Sequence, residues 1–281
     1  MKLKNKIAKT IEYAILLIMS AGIIIPLVWV VGNSFKSNKD ITTNMAAMLP
    51  SKGEWDFSNY AKAWEIGRIG DTLLNTVFIT FVSVLLILII SYFAAYAIVR
   101  IKFKGSLFIY TILSALMLVP LGQVTLIPQF KIIGSLGLLD TYLGVILIHV
   151  ANGVPFSVFL LSSYLRKIPI ELDEAAEIDG CNKLQLMGRV LLPLSKPGLA
   201  TVIIFQGMQI WNDYYLSLIY LRTPEKRTVA LGLKNFSDSW GVTAYNQLFA
   251  AIVTIAVPIV LLYVIFQKQF IGGLTSGSVK G

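Results

Sequence analysis

Long runs without a charged side chain dominate the sequence. Residues 13–35, 72–99, 105–130, 141–165 and 239–267 carry none, and 197–221 is interrupted only by Asp213. About 20 apolar residues in a helix cross a bilayer, and each run reaches that length. None alternates polar and apolar positions as the strands of a membrane barrel do. The pattern predicts an all-α membrane protein with six transmembrane helices. It divides into an N-terminal part, 1–70, with a tail, the first span and an outer loop. A five-helix core follows over 71–270, with a loop at 168–197, and then a tail over 271–281.

Composition supports the membrane reading. Apolar residues make up 56% of the chain and charged ones only 14%, with a mean hydropathy of +0.73. A soluble domain carries about 25% charged residues, so an ordinary soluble enzyme and a disordered chain are both excluded. The net charge of +9 raises the question of nucleic acid. In a membrane protein basic residues mark cytoplasmic loops instead, and no nucleic-acid partner is expected. Lys2, Lys4, Lys6 and Lys9, then Arg100, Lys102 and Lys104, then Arg166, Lys167, Lys183, Arg189 and Lys196 all fall on one side of a six-span chain. That side, with both termini, is expected to be cytoplasmic. Arg222, Lys226, Arg227 and Lys234 on the other side make the bias moderate. The N-terminal lysines and the run behind them imitate a signal peptide, but the run is too long for an h-region and is read as an uncleaved span.

Candidate chemistry is sparse. One cysteine (Cys181) and one histidine (His149) exclude an internal disulfide framework and a His-rich metal site. The Gly-Lys dipeptide of a P-loop does not occur. Asp213 alone among the acids sits clearly mid-span, so no paired catalytic constellation is visible and no enzyme is expected. No cofactor is expected in this chain, and its energy must come from a partner.

The most informative segment is the loop at 168–197, IPIELDEAAEIDGCNKLQLMGRVLLPLSKP between the fourth and fifth spans. Pro169 can open a helix whose first turns hold Glu171, Asp173 and Glu174, where the macrodipole favours acids. Leu172, Ala175, Ala176 and Ile178 form a small apolar face, and Gly180 can take the left-handed conformation that ends the helix. Asn182 is placed to cap a second helix over 183–192, which Pro193 is expected to stop. Ser195 is expected to cap the fifth span. The result is a helix–turn–helix under the membrane, shaped as a docking surface for a soluble partner.

This segment resembles the EAA loop of ABC importer permeases. The pattern is Glu-Ala-Ala, three residues, Gly, nine residues, an aliphatic, one residue, Leu-Pro. Glu174, Ala175, Ala176, Gly180, Val190, Leu192 and Pro193 stand at those positions, with Asp179 also common in the motif. Trp211-Asn212-Asp213, the tail from Gly273 to Gly281 and the stretch from Val119 to Pro128 resemble the carbohydrate members, most closely the smaller permease of the maltose type.

The resemblance implies the fold of a type I importer permease in a prokaryotic plasma membrane. It implies a companion permease, two ATP-binding subunits that hold the ATP, an extracytoplasmic solute-binding protein, surrounding lipid and a sugar substrate. It further implies that Glu174 pairs with a basic ATPase residue, that Ala175 and Ala176 permit close packing, and that Asp179, Gly180 and Pro193 complete the coupling element. In the tail, Gly273, Leu274, Thr275 and Lys280 correspond to a segment that docks on the ATPases. A disordered terminus is the other reading of that tail.

The translocation path is read from the residues themselves. Gln206, Gln209, Asp213 and Ser217 recur at helical spacing on the fifth span, and His149 and Asn152, with Phe156 and Phe159 below, form a face on the fourth. Polar groups in a span face a cavity or bond to a neighbouring helix. Both readings stand for this stripe, and Asp213 has a third, as a group bonded to nearby backbone. A different kind of protein also fits: a proton-coupled secondary transporter using Asp213 and His149 as a relay.

Overall fold

The computed structural model describes residues 2–44, 46–51, 55–118, 125–236 and 243–275. Its helices, in order, are α1 (Lys2–Asn33), α2 (Asn38–Thr43), α3 (Ser58–Ile66), α4 (Ile69–Tyr96), α5 (Ser106–Leu118) and α6 (Leu126–Ser135). Then come α7 (Tyr142–Leu165), α8 (Glu171–Ile178), α9 (Lys183–Leu194), α10 (Lys196–Trp211), α11 (Tyr215–Tyr220) and α12 (Tyr245–Thr275). No β-strand occurs among the described residues.

Among the described residues four helices are long and apolar enough to cross a bilayer: Lys9–Asn33, Ile69–Ile101, Tyr142–Leu165 and Tyr245–Ile265. A fifth is reached if α9 and α10, which meet at 75°, count as one span. Two of the six expected runs are not single helices. The run at 105–130 holds the 13-residue α5, which at 1.5 Å per residue covers only about 20 Å, and the beginning of α6. Residues 119–124, most of the stretch likened to carbohydrate permeases, lie outside the described residues. The run at 197–221 breaks after Trp211, where the helix ends, and resumes as α11. A charge-free run reports apolarity but not where a helix stops.

The chain folds as two compact units. The first, Met1–Gly70 with Gly232–Val257, is organised around Asn59. That fully buried amide donates to the carbonyls of Ser34 (3.0 Å) and Lys36 (2.9 Å) and accepts from Asn246 (2.7 Å). Three segments remote in sequence are thereby tied at one residue. Phe35 packs beside it against Trp55, Phe57 and Tyr60. The apolar side chains of α1 from Ile11 to Leu27 remain exposed, as befits a helix whose solvent is lipid or another chain.

The second unit, Asp71–Leu231 with Pro258–Gly281, packs α4, α7 and α10 around fully buried Ile87, Val145, Val158, Leu161 and Val202. At one end of this unit Asp140 closes a knot between the turn before α7 and the segment after α11. Asp140 has φ +57, an arrangement Asp tolerates better than most residues. Its carboxylate accepts from the Arg222 N–H (2.9 Å), the Thr223 N–H (3.0 Å) and the Thr223 hydroxyl, with Lys226 Nζ 3.3 Å away. Those hydrogen bonds, the Thr223 hydroxyl's first, hold the carboxyl well below the ordinary value of 3.8. A carboxyl depressed in the folded state contributes stability that is present above 3.8 and is lost as pH falls toward its lower folded value. The melting temperature of the detergent-solubilised protein is therefore expected to fall below pH 3.8 more steeply in the native chain than in an Asp140→Asn variant.

Candidate coupling surface and translocation site

The loop at 168–197 folds as a helix pair whose turn is built from local rules. α8 ends in a left-handed glycine, Gly180, at φ +81. The Gly180 N–H bonds to Glu177 O (3.0 Å) and the Cys181 N–H to Ala176 O (2.9 Å), so two terminal carbonyls are satisfied in the Schellman pattern. A Cβ at Gly180 would meet nothing within 4 Å, so glycine is required there by the dihedral and not by space. Asn182 and Gln185 then form a reciprocal capping box, both bonds 2.9 Å.

The two expected stops differ. Pro193 does not end α9: a π-helical turn over Leu186–Leu191 widens the backbone, and the helix runs on through Leu192–Leu194. Pro193 lacks a donor and its ring crowds the carbonyl four residues back, but that residue, Arg189, lies inside the π-helical turn where the backbone is widened. The 75° bend falls at Ser195 instead. The Ser195 side chain is buried and makes no capping hydrogen bond to α10.

α8 is amphipathic. Asp173 and Ala176 face inward and are buried, whereas Glu171, Leu172, Glu174, Ala175, Glu177 and Ile178 face outward. Ala176 therefore packs on its own chain, and Ala175 is the alanine open to a partner. Ile178 is 86% exposed and Leu184, across the turn, 69%. Two apolar side chains thus flank Asp179 and Gly180 with nothing from this chain upon them.

Behind this face, Asp173 Oδ2 lies 2.9 Å from Arg100 Nε, and a terminal guanidinium nitrogen of Arg100 donates to Ile168 O (2.9 Å). Arg100 sits in the π-helical turn Ala97–Ile101 that ends the α4 span. Burial pushes the Asp173 carboxyl up, and Arg100 pulls it back down. Tyr92, also on α4, donates to Met187 O (2.9 Å). Sequence reasoning used Arg100 only as a topological charge and missed Tyr92. The signal for either was weak, because the partners are remote in sequence.

The two polar faces of the spans do meet. His149, Asn152 and Phe156 of α7 and Gln206, Gln209 of α10, with Asp213 beyond its end, line one cavity of about 450 Å³. Phe159 is not among them and stacks instead on Tyr110, 6.2 Å between centroids. Within the cavity wall the polar groups are unequally committed. The Gln206 amide is buried and donates to Gly153 O (3.2 Å) and Ser157 Oγ (3.3 Å), which makes it interhelical glue. Asn152 accepts from Gln129 of α6 (3.2 Å). Phe205 stacks on Phe156 at 4.3 Å, an aromatic wall that the spacing on α7 alone did not reveal.

Asp213 combines two of its expected roles. Its carboxylate caps α11, accepting from the N–H groups of Leu216 (3.2 Å) and Ser217 (3.0 Å) and from the Ser217 hydroxyl (3.2 Å). The same carboxylate lines the cavity and lies 3.8 Å from His149 Nε2. Ser217 itself is fully buried and off the cavity. Amides, a carboxylate and a stacked aromatic pair offer hydrogen bonds and an apolar face together, a combination suited to a hydroxylated solute. Among the described residues no group of three or more metal-ligating side chains converges.

Of the tail residues, Gly273, Leu274 and Thr275 lie in the last turn of α12, and Lys280 falls outside the described residues.

Residues 66–274, a stretch that holds both the loop and the cavity, match the family described as the binding-protein-dependent transport system inner membrane component. The chain belongs to this family. The permease is 37% identical to the probable ABC transporter permease protein YurM of Bacillus subtilis (strain 168), over 98% of this chain and 90% of that protein. It is 34% identical to the diacetylchitobiose uptake system permease protein NgcG of Streptomyces coelicolor, over 96% of this chain and 88% of the relative. Among solved structures it is similar to a chain of a bacterial ABC transporter involved in the import of the acidic polysaccharide alginate. The TM-score is 0.81 at 26% identity, with 95% of this chain and 98% of that one covered. The permease is a transport component and not an enzyme. The proton-coupled reading of His149 and Asp213 finds no support in these relatives.

The double duty of Asp213 gives a measurable expectation. Asp213→Ala removes the cap of α11 and should cost about 1 kcal/mol, whereas Asp213→Asn retains an acceptor and should cost only a few tenths. Thermal unfolding of the purified permease in detergent reads the difference, and equal melting temperatures for the two variants would remove the capping role.

Proposed function

We propose that the permease forms half of the translocation path of an ATP-driven carbohydrate importer in a prokaryotic plasma membrane. Its partners are a companion permease, two ATP-binding subunits that hold the ATP, and an extracytoplasmic solute-binding protein. The chain crosses the bilayer six times with both termini cytoplasmic, the segments around α5 and α10–α11 completing the count. The observation that carries the reading is α8: an acidic, amphipathic helix with Glu174, Ala175 and Ile178 exposed and a glycine-fixed turn behind it.

In this reading Glu174 supplies the charged anchor and Ala175 the close approach. Ile178, Asp179 and Gly180 shape the end that enters the ATPase cleft, Ala176 holds α8 to the permease, and the exposed Pro193 completes the coupling element near the end of α9. Closure of the ATPases moves the loop, and the spans shift between inward-open and outward-open populations. His149, Asn152, Gln209 and Asp213 face the solute, while Gln206 holds α7 to α10. The carbohydrate class is supported by relatives named for diacetylchitobiose and for melibiose, raffinose and stachyose, and by the alginate transporter of the solved structure. Gly273, Leu274, Thr275 and Lys280 contribute a second contact with the ATPases.

Two measurements test the proposal. Glu174→Lys should lower recovery of the ATPase subunits with the affinity-tagged permease by about tenfold, for a loss of about 1.4 kcal/mol at that contact. Unchanged recovery would remove the coupling role of α8. In the reconstituted complex, ATP hydrolysis should be stimulated by oligosaccharides such as raffinose or diacetylchitobiose. Stimulation by an amino-acid panel alone would overturn the carbohydrate assignment.

A further inference from the structure

Along the chain α8 reaches the spans through its own ends, backward into α7 and forward through α9 into α10. The structure adds a third route. Arg100, at the end of the α4 span, holds α8 through Asp173 and the peptide before α8 through Ile168 O, both at 2.9 Å. Tyr92, on the same helix, holds the π-helical turn of α9 through Met187 O at 2.9 Å. The two ties grip the two helices of the loop separately, and both residues belong to α4.

The chemistry of the ion pair is that of a latch and not of a staple. Both side chains are buried, yet Asp173 Oδ1 and Arg100 Nε have no hydrogen-bond partner among the described residues, so the contact is close but imperfectly aligned. Desolvating two charges can cost more than an imperfect pair returns, so the pair is weak evidence of stabilisation. Its consequence is geometric: it fixes how α8 sits on the end of the α4 span. The α4 end it acts on is a π-helical turn, the widened backbone that is frequent at functional sites.

α4 leads directly to the cavity. Ile87, about four turns before the end of that span at Ile101, lies against Gly153 of α7, where a Cβ would come within 2.6 Å of Ile87 Cδ1 and 2.9 Å of Gln206 Oε1. Gly153 and Gln206 both border the cavity. Displacement of α4 is therefore felt at the cavity wall, since packed side chains pass on movement and do not absorb it.

We propose that Arg100 and Asp173 are positioning residues for energy coupling: they clip the loop helix to the α4 span so that a push on α8 moves α4, and with it the cavity wall, directly. The proposal rests on the assignment of α8 as the ATPase contact.

The test uses the complete complex of permease, companion permease, ATPases and binding protein in lipid nanodiscs. Cys181 is replaced by Ser, and Gln209→Cys serves as a reporter in the cavity. The readout is the labelling rate of that cysteine by a charged maleimide, with and without ATP and vanadate. Arg100→Gln should leave ATPase recovery in the complex unchanged and reduce the nucleotide-dependent change in labelling at least about fivefold, the lower end of ordinary coupling energies. Arg100→Asp should do the same, and Arg100→Asp combined with Asp173→Arg should restore most of the change. An undiminished response in Arg100→Gln overturns the proposal. Loss of the ATPases from the Arg100→Gln complex, or a charge swap that restores nothing, reduces the pair to a structural role and overturns it equally. Glu174→Lys in the same background separates the two ideas. If that variant keeps both the ATPases and the labelling response, it is the assignment of α8 that fails, whatever Arg100 does.

Discussion

Three helices converge in this permease at Gly153, where the missing side chain leaves room for the other two. Ile87 of α4 and Gln206 of α10 both reach into the space a Cβ would fill. The Gln206 amide also closes on the Gly153 carbonyl. The core of the second unit, the cavity beside it and the path by which movement spreads all presuppose this close approach. A methyl group there would press on both flexible ends at once and dislodge the amide that seals α7 to α10. The polar stripe thus divides into a part that builds the wall and a part that faces the interior.

That division explains why a membrane protein with so few charged groups places them as it does. Asp140 is spent on a knot before α7, Asp173 on a buried contact with the end of the α4 span, and Asp213 on a helix cap at the cavity. Each sits where backbone N–H groups or a cation meet it, which is the condition for keeping an acid away from bulk water. The exposed acids of α8, by contrast, have no such partner among the described residues and face outward.

Much of the loop was legible in the sequence because its rules are local. Gly180 announces a left-handed turn, Asn182 with Gln185 a capping box, and the spacing of Asp173, Glu174, Ala175 and Ala176 an amphipathic helix. The role of Asp213 as a cap was open in the sequence because the donors it accepts from lie within four residues. What was not legible depended on distance or on competition between rules. Arg100 ends one span and Asp173 lies in the loop helix beyond another, and nothing in either neighbourhood points to the other. Pro193 was expected to stop a helix, and a π-helical turn upstream overrode it. The continuous apolar run at 105–130 concealed the end of α5 because lipid compatibility and helix continuity are separate properties. Phe159 followed Phe156 at the right spacing, yet Tyr110 provided a better stacking partner.

The interruption between Trp211 and Tyr215 sets a condition on what surrounds it. Backbone that leaves the helix at membrane depth exposes peptide groups that hydrocarbon cannot satisfy, and such backbone persists only against protein or water. Here the N–H groups of Leu216 and Ser217 at the start of α11 are met by the Asp213 carboxylate, and the Gln209 amide lines the cavity beside it. The chain thus carries its own replacement for the water that such a break would otherwise require.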